Sequence, residues 1–409
     1  MKVLLYIPQL PFDPSSGAAR SMRGIAELLA ASGFSVRCLA PTAVEAGIRA
    51  TADEWLTQQA LTFTRTRDQL NLTWRSVSYC LLDTGRAGPF EWEHVNGDRL
   101  TSILKDEIRE FRPDILFTYG GSPADQARYR CARQFGVKVV FGLRNAAYSS
   151  AEFFETFDGI LTPSKYLSGF YAEKLGLASS PIPPPIDQAD TIAANRDPIF
   201  FATVNPTRQK GALLTARLAE ELGRRRPDIP FLIVESRGCA GALTRLGLDA
   251  GFDLRRHGNI MSSPAVPFPR DIYGPVKALL VPSLNEAFGR VAAEALMNGI
   301  PPITSGRGGL PEAANGAGFT LPLPADIDGA RTPVTAADVK PWLDLIERLE
   351  DDSDFYQAAC QRASTAAEAF SPASLGPRYS AWFRSFANKG VTELSTTRPK
   401  LQTKDLQFK

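Results

Sequence analysis

The sequence predicts an α/β protein of two doubly wound, Rossmann-like domains, and three observations predict it. Short apolar runs alternate with amphipathic helical stretches through the first 175 residues, the pattern of a mostly parallel sheet covered on both faces. A stiff segment, Pro181-Ile182-Pro183-Pro184-Pro185-Ile186-Asp187, then interrupts the pattern, because proline cannot continue a helix and holds the chain extended. Alternation resumes at 199–204. A chain of 409 residues gives each domain enough material for its own core.

Residues 3–7 form the first strand. The loop at 8–16 is rich in proline and serine, and Gly17 closes it. A helix at 18–31 turns Ile25, Leu28 and Leu29 inward and stops at Gly33. With the strand at 35–40 the chain opens as a βαβ unit. Its first turn has no GxGxxG, so a dinucleotide fingerprint is absent, and Gly17 by itself reads as a tight turn. Helix-like sequence continues to residue 60, and 72–82 reads as one long strand carrying Trp74, Val77 and Tyr79. Helices at 100–111, 123–135 and 166–175 alternate with strands at 113–119, 138–142 and 159–164. Arg144-Asn145 lies just past the strand at 138–142, at the carboxyl end of the sheet, where open α/β sheets bind ligands. There Asn145 either makes a turn or, with Arg144, points toward a cleft ligand.

The second half begins with the strand at 199–204, the loop Asn205-Pro206-Thr207-Arg208-Gln209-Lys210-Gly211, and an amphipathic helix to residue 225. Lys210 stands at a loop-to-helix junction, where a cation and helix amides can meet a phosphate. Arg208 is a second cation of that loop or a solvated surface residue. The strand at 231–235 ends at Ser236-Arg237-Gly238. Residues 254–257 read as a short strand followed by Gly258-Asn259-Ile260, and His257 as a structural residue. A short helix at 272–277 leads into a strand at 278–281. Residues 334–369 are helical, and a last helix at 371–386 turns Leu375, Tyr379, Trp382 and Phe386 inward. The polar tail at 389–409 has no periodicity and is expected to be disordered.

The densest chemistry lies at 282–314, PSLNEAFGRVAAEALMNGIPPITSGRGGLPEAA. A helix at 289–298 buries Val291, Ala292, Ala295 and Leu296, Gly299 ends it, and Ile303-Thr304 is the next strand. Glu286 sits in the loop before this helix and Glu294 on the flank of its apolar face. Loop amides at a helix N-terminus suit a phosphate, and the two carboxylates suit hydroxyls, so a ligand carrying both fits. The plainer reading has Glu286 complementing the helix dipole and Glu294 solvated.

Composition narrows the classes. A formal net charge of +2 gives no global argument for nucleic acid. The five cysteines, Cys38, Cys80, Cys131, Cys239 and Cys360, are scattered without a CxxC, which favours a reducing, cytoplasmic setting. Only His94 and His257 are present, which argues against a His-based metal site. The apolar run after Met1-Lys2 stops at Pro8, too soon for a signal peptide, and no run approaches a membrane span. Arg65, Arg67 and Arg75 with Trp55 and Trp74 suggest a peripheral contact with a lipid surface, against the plainer reading of a solvated basic face.

The spacing Glu286-x7-Glu294, with Phe288-Gly289 between and Gly308-Gly309-x-Pro311-Glu312 after, resembles the donor site of family 4 retaining glycosyltransferases of the GT-B fold. The resemblance implies two Rossmann-like domains facing each other across a cleft: an acceptor-side domain at 1–185, a nucleotide-sugar domain at 186–370, and a helix at 371–388 crossing back to the first. It places Lys210 and the amides near Gly17 and Gly289 at the donor diphosphate, Glu286 beside the donor sugar, and Phe288 in the same donor-binding loop. Glu294 falls on the ribose, and Arg237 and Ile260 lie in loops that cradle the base. Where many members carry His this chain has Asn145, which cannot be a general base near neutral pH. Where they carry Gly-Arg it has Val204-Asn205, and Arg208 is then the candidate for the missing charge. The family's front-face chemistry lets the leaving phosphate accept the acceptor's proton, so Glu286 and Asn145 form the expected catalytic set. The partners are a nucleotide sugar and an undetermined acceptor, with no cofactor and no metal. Asp326-x-Asp328 and Asp352-x-Asp354 match a metal-binding DxD only in letters. A glycoside hydrolase also uses two carboxylates but needs no anion loop. A GT-B phosphorylase or epimerase stays open. The second reading is a nucleotide-sugar-binding protein without transferase activity, because Asn145 and Asn205 both depart from the pattern.

Overall fold

The computed structural model describes residues 1–44, 51–85, 89–325, 327 and 334–386. Its first half runs β1 (Lys2–Tyr6), α1 (Gly17–Ala31), β2 (Ser35–Pro41), α2 (Ala52–Gln58), β3 (Thr64–Arg65), β4 (Gln69–Trp74), β5 (Val77–Leu82), α3 (Pro89–Phe111), β6 (Ile115–Thr118), α4 (Pro123–Gln134), β7 (Lys138–Gly142), β8 (Gly159–Thr162), α5 (Lys165–Leu175) and β9 (Ser180–Pro181). These strands make one sheet in the order β3-β4-β5-β2-β1-β6-β7-β8-β9, parallel except at the β3–β4 and β4–β5 pairs. Helices cover both faces, which is why β1 is apolar at every position from Val3. Val3 and Leu5 pack with Ile25 and Leu29 of α1, while Leu4 and Tyr6 pack with Leu104 and Ile108 of α3. Strand order reverses around β1, so the loop into α1 and the loops after β6 and β7 converge at one edge of the sheet.

The second half runs α6 (Gln188–Thr191), β10 (Phe200–Val204), α7 (Ala212–Arg225), β11 (Phe231–Val234), α8 (Ala240–Asp249), β12 (Ile260–Ser263), α9 (Arg270–Tyr273), β13 (Val276–Val281), α10 (Arg290–Met297), β14 (Pro302–Thr304), α11 (Leu310–Ala314), β15 (Phe319–Thr320), α12 (Ala336–Asp351), α13 (Ser353–Ala367) and α14 (Pro372–Arg384). Its sheet, β12-β11-β10-β13-β14-β15, is parallel throughout. Phe201 and Leu280 face the α7–α12 side, and Ala202 and Leu279 face the α10–α13 side.

Three expectations are corrected. The long strand at 72–82 is the hairpin β4–β5, which turns at Arg75-Ser76 with φ of 46° and 63°. Residues 254–257 are not a strand: Leu254–Arg256 is a 3₁₀ turn and the strand begins at Ile260. Three members of the suggested lipid-facing set are committed elsewhere. Trp55 is buried, Arg65 is held by Asp53 and Asp83, and Arg75 points inward to Glu27, Asp187 and Asp190. Among the described residues no helix is long and apolar enough to cross a membrane. Asp326, Asp328 and the tail at 389–409 lie outside the described residues.

The last helix, α14, packs against α1 of the first half. Gly376 lies beside Leu28, and the Tyr379 hydroxyl donates to the Pro183 carbonyl at 3.0 Å. Phe383, fully buried, meets Phe117 edge-on at 5.2 Å, whereas Trp382 and Phe386 are only partly covered. Phe383→Ala removes a buried ring from the join between α14 and the first sheet. It should lower stability by about 3–5 kcal/mol, read from urea unfolding, while Trp382→Ala should cost less.

Candidate active site

The carboxyl ends of the two sheets face each other across a cavity of about 500 Å³, within the range of small-molecule sites. The loop from Pro282 to Gly289 forms one wall. Backbone passes so close to it on both sides that no side chain fits between. A Cβ on Gly211 would lie 2.1 Å from the Pro282 carbonyl oxygen, and one on Gly308 would lie 2.3 Å from that of Glu286. Both glycines also hold positive φ, 81° and 68°. This approach brings Lys210, next to Gly211, into an ion pair with Glu286. The same Oε1 of Glu286 accepts from the Ser283 hydroxyl at 2.9 Å, and the Glu286 carbonyl accepts from Gly309 N at 2.7 Å.

Glu294 lies on the first turns of α10, buried between the two halves of the protein. Its Oε1 meets Arg20 of α1 at 2.7 Å and Arg290 Nε at 3.3 Å, and its Oε2 accepts from the Tyr273 hydroxyl at 3.1 Å. Burial pushes this carboxyl up, but the two guanidiniums and the Tyr273 hydroxyl outweigh burial and hold it below its ordinary 4.5. Burial and the neighbouring Arg20 pull Arg290 down to about 10, against the attraction of Glu294.

Further ties close the cleft. The Ser164 hydroxyl donates to the Ala287 carbonyl at 2.5 Å. The Glu312 carboxylate accepts from the N–H groups of Lys165 and Tyr166, each at 2.8 Å, at the start of α5. The Pro-Glu of the motif therefore caps a helix of the opposite half.

Gly17, Asn145, Lys210, Arg237, Glu286, Phe288, Gly289 and Glu294 all line the cavity. Gly17 opens α1 behind the cap Ser16 and lies 3.8 Å, measured from an ideal Cβ, from the Arg290 Cδ. Asn145 is exposed to the cleft, and its Oδ1 accepts from Ala147 N at 3.0 Å, a turn-forming bond. Phe288 is mostly core, edge-on to Phe370 at 5.6 Å. Two residues are not brought in. Arg208 is exposed on the 3₁₀ turn before Lys210, outside the cavity. Ile260 pairs with Phe231 at the amino end of its strand, so Ala265 and Val266, beyond the carboxyl end, line the cavity instead. His257 is turned to Glu220 at 2.7 Å, away from the cleft. Sequence reasoning missed Arg20, Arg290 and Ser164. Arg20 and Ser164 find their partners, Glu294 and the Ala287 carbonyl, in the other half of the chain, whereas Arg290 stands four residues before Glu294 on the same helix, a spacing that could have flagged it.

Residues 264–364 match the family model described as glycosyl transferases group 1. A curated relative, the D-inositol 3-phosphate glycosyltransferase of Corynebacterium aurimucosum, is 32% identical over 149 residues. That match takes in 35% of this chain, and the chain spans about a third of the relative's length (32%). Solved structures resemble the whole chain. Sucrose-phosphate synthase from Thermosynechococcus elongatus superposes with a TM-score of 0.67 at 16% identity, over 95% of this chain and 100% of that one. A glycosyltransferase from Rickettsia africae gives 0.67 at 15% identity over 95% and 99%. Anabaena HepE, solved in complex with UDP-glucose, gives 0.64 at 13% over 94% and 99%. At such identities the likeness speaks for the fold.

Glu294→Gln should leave two partly buried guanidiniums without a counter-charge and destabilise the protein by about 3 kcal/mol near neutral pH, the low end for breaking a buried pair. Its folded pKa is depressed, so its contribution is complete above the ordinary 4.5 and fades as pH falls through the lower folded value. Urea unfolding of both proteins from about pH 7 to about pH 3.5 should show the gap narrowing at the acid end.

Proposed function

From a chain that has the GT-B fold and carries a glycosyl transferases group 1 segment, we propose transfer of a sugar from a nucleotide-sugar donor to an acceptor hydroxyl. The observation that carries the reading is the convergence of Lys210–Glu286, the amino end of α1 and Glu294 on one cavity between two Rossmann-like domains. In this reading the donor diphosphate lies between Lys210 and the amides around Gly17, where charge growing on the leaving group is stabilised. Glu286 has its Oε1 committed to Lys210 and Ser283, which leaves Oε2 for a hydroxyl of the donor sugar. Glu294 accepts hydrogen bonds from Arg20 and Tyr273, with Arg290 beside it as an ion-pair neighbour, so two of its roughly four acceptor directions remain for a ribose hydroxyl. Asn145, on the opposite wall, holds a sugar hydroxyl and takes no proton.

The finer reading is a family 4-like reaction with retention, in which the departing phosphate accepts the acceptor's proton on the same face. It runs without a metal. Cationic side chains around the cavity supply the charge, and Asp352 of the second DxD caps α13 through Phe355 N at 2.9 Å. Anabaena HepE was solved with UDP-glucose, so a uridine diphosphate sugar is the first donor to try. The inositol phosphate in the name of the Corynebacterium relative makes a phosphorylated polyol the first acceptor. One observation favours a second reading, a binding protein without turnover: Asn205 stands where a cation is expected, and its Oδ1 is committed to Gly238 N at 2.8 Å.

A thermal-shift screen of UDP, GDP, ADP, CMP and dTDP and their sugars tests this. One nucleoside diphosphate at about a hundred times its Kd should stabilise by about 2.7 kcal/mol, and Glu294→Ala should lose that gain. Transfer should persist in EDTA, yield a product of retained anomeric configuration by NMR, and fall about 10²-fold or more in kcat in Lys210→Ala. Binding without transfer to any acceptor would select the second reading, and no binding at all would sink both.

A further inference from the structure

Arg144 follows β7 at the carboxyl end of the first sheet and lines the cavity. Its Nε and Nη1 are shut off from solvent, and neither has a hydrogen-bond partner among the described residues. Its Nη2 reaches Met22 Sδ at 3.4 Å, a weak acceptor. The charged and titratable groups that act on it are the phenols of Tyr379 and Tyr119, with no carboxylate among them. Burial pushes the Tyr379 phenol up, so it stays neutral, and burial holds the Arg144 guanidinium below its ordinary range.

Four other arginines of the cleft and the adjoining core each lie against a carboxylate. Arg20 and Arg290 share Glu294, Arg23 lies against Glu27 and Asp190, and Arg128 meets Glu93. The fold also makes room for Arg144. A Cβ on Gly142 would lie 2.5 Å from Met22 Sδ and 3.2 Å from Arg144 Nε. A sequestered guanidinium with unmade bonds is costly to keep in a protein without a ligand to use it.

We propose that Arg144 is an anion-binding residue, donating its unpaired N–H groups to a phosphoryl group of the ligand held in the cleft. The glycosyl-transfer reading supplies two sources for that phosphate, the donor's diphosphate or a phosphate on the acceptor, and to this extent the inference rests on it. With the diphosphate, Arg144 brings from the opposite wall the second cation that Asn205 does not provide.

Arg144→Met keeps most of the volume and removes the charge. Its Tm and that of wild type are measured without ligand. Calorimetric titrations follow with pyrophosphate, with UDP, GDP and ADP, with the matching nucleosides, and with inorganic phosphate added to the nucleoside diphosphate complex. The variant should melt at or above the wild-type temperature, lose at least tenfold in affinity for a phosphorylated probe, and bind the nucleoside unchanged. Arg144→Lys should recover part of the loss. A tenfold loss for the nucleoside diphosphate assigns the donor phosphate. Unchanged nucleoside diphosphate binding with a tenfold loss for inorganic phosphate assigns the acceptor's. Equal losses for nucleoside and diphosphate, or no loss with any phosphorylated probe, overturn the proposal. Wild type that binds pyrophosphate but no nucleotide refutes the glycosyl-transfer reading alone, with the pyrophosphate titration of the variant still deciding Arg144. Wild type that binds none of the probes overturns both.

Discussion

Backbone against backbone is the constraint on which the site depends. The loop from Pro282 to Gly289 is pressed between the turn at Gly211 and the turn at Gly308-Gly309, at separations that admit hydrogen in place of a side chain. Main-chain packing of this kind has few alternative arrangements, unlike contacts between long side chains. It therefore fixes Glu286 relative to Lys210 before any ligand arrives, which is what electrostatic preorganisation requires. Two hydrogen bonds then tighten the same loop: the Ser305 hydroxyl donates to the Ser283 carbonyl at 2.6 Å, and the backbone Leu284 N donates to the Gln209 carbonyl at 2.9 Å. The Lys-Gly and Gly-Gly-x-Pro-Glu signatures are thus first requirements of close approach, and the chemistry sits on top of them.

The second constraint acts between the halves. Each half offers charged or polar groups that the other completes: Arg20 for Glu294, the α5 amides for Glu312, Ser164 for the Ala287 carbonyl. Arg23 and Arg75 extend the pattern to Asp187 and Asp190, at the start of the second half. Hydrogen bonds to charged groups contribute about 1.5–3 kcal/mol each, so a few of them hold the cleft closed against the freedom of two separate domains. A buried carboxylate shared by two arginines also carries a specific penalty for separation, since moving the halves apart would strip Arg20 from Glu294.

How much was legible in the sequence follows the same division. Elements with strong local periodicity, such as α1, α7 and α10, and β1 with its buried run, are visible because their burial repeats within a few residues. The hairpin at β4–β5 was hidden because its left-handed turn uses Arg75-Ser76, without the glycine or asparagine that normally signals one. The edge strand β12 was hidden because Ile260-Met261-Ser262-Ser263 is partly or fully exposed at every position and lacks an apolar run, and the base-side residue was misplaced with it. The carboxylates of the site were readable as letters, and their partners were not. Arg20 lies 274 positions from Glu294, and only the fold brings the two together.

Asn205 shows how a departure from a pattern is absorbed. The residue holds a left-handed backbone with φ of 57°, a conformation in which asparagine is several-fold enriched. Its amide oxygen turns to Gly238 N, where a Cβ on Gly238 would come within 2.6 Å of the Pro206 carbonyl carbon. The side chain at 205 is therefore spent on joining the loops after β10 and β11, and a cation there would forfeit that bond. The charge balance of the cavity does not suffer for it. Arg20, Arg144, Lys210, Arg237 and Arg290 line the walls against Glu235, Glu286 and Glu294. Part of that excess is on the first half's wall, where Arg20 meets Glu294 and Arg144 meets no carboxylate. A lining with more cationic than anionic side chains favours an anionic ligand, and the bond that Asn205 spends on Gly238 is compatible with that balance.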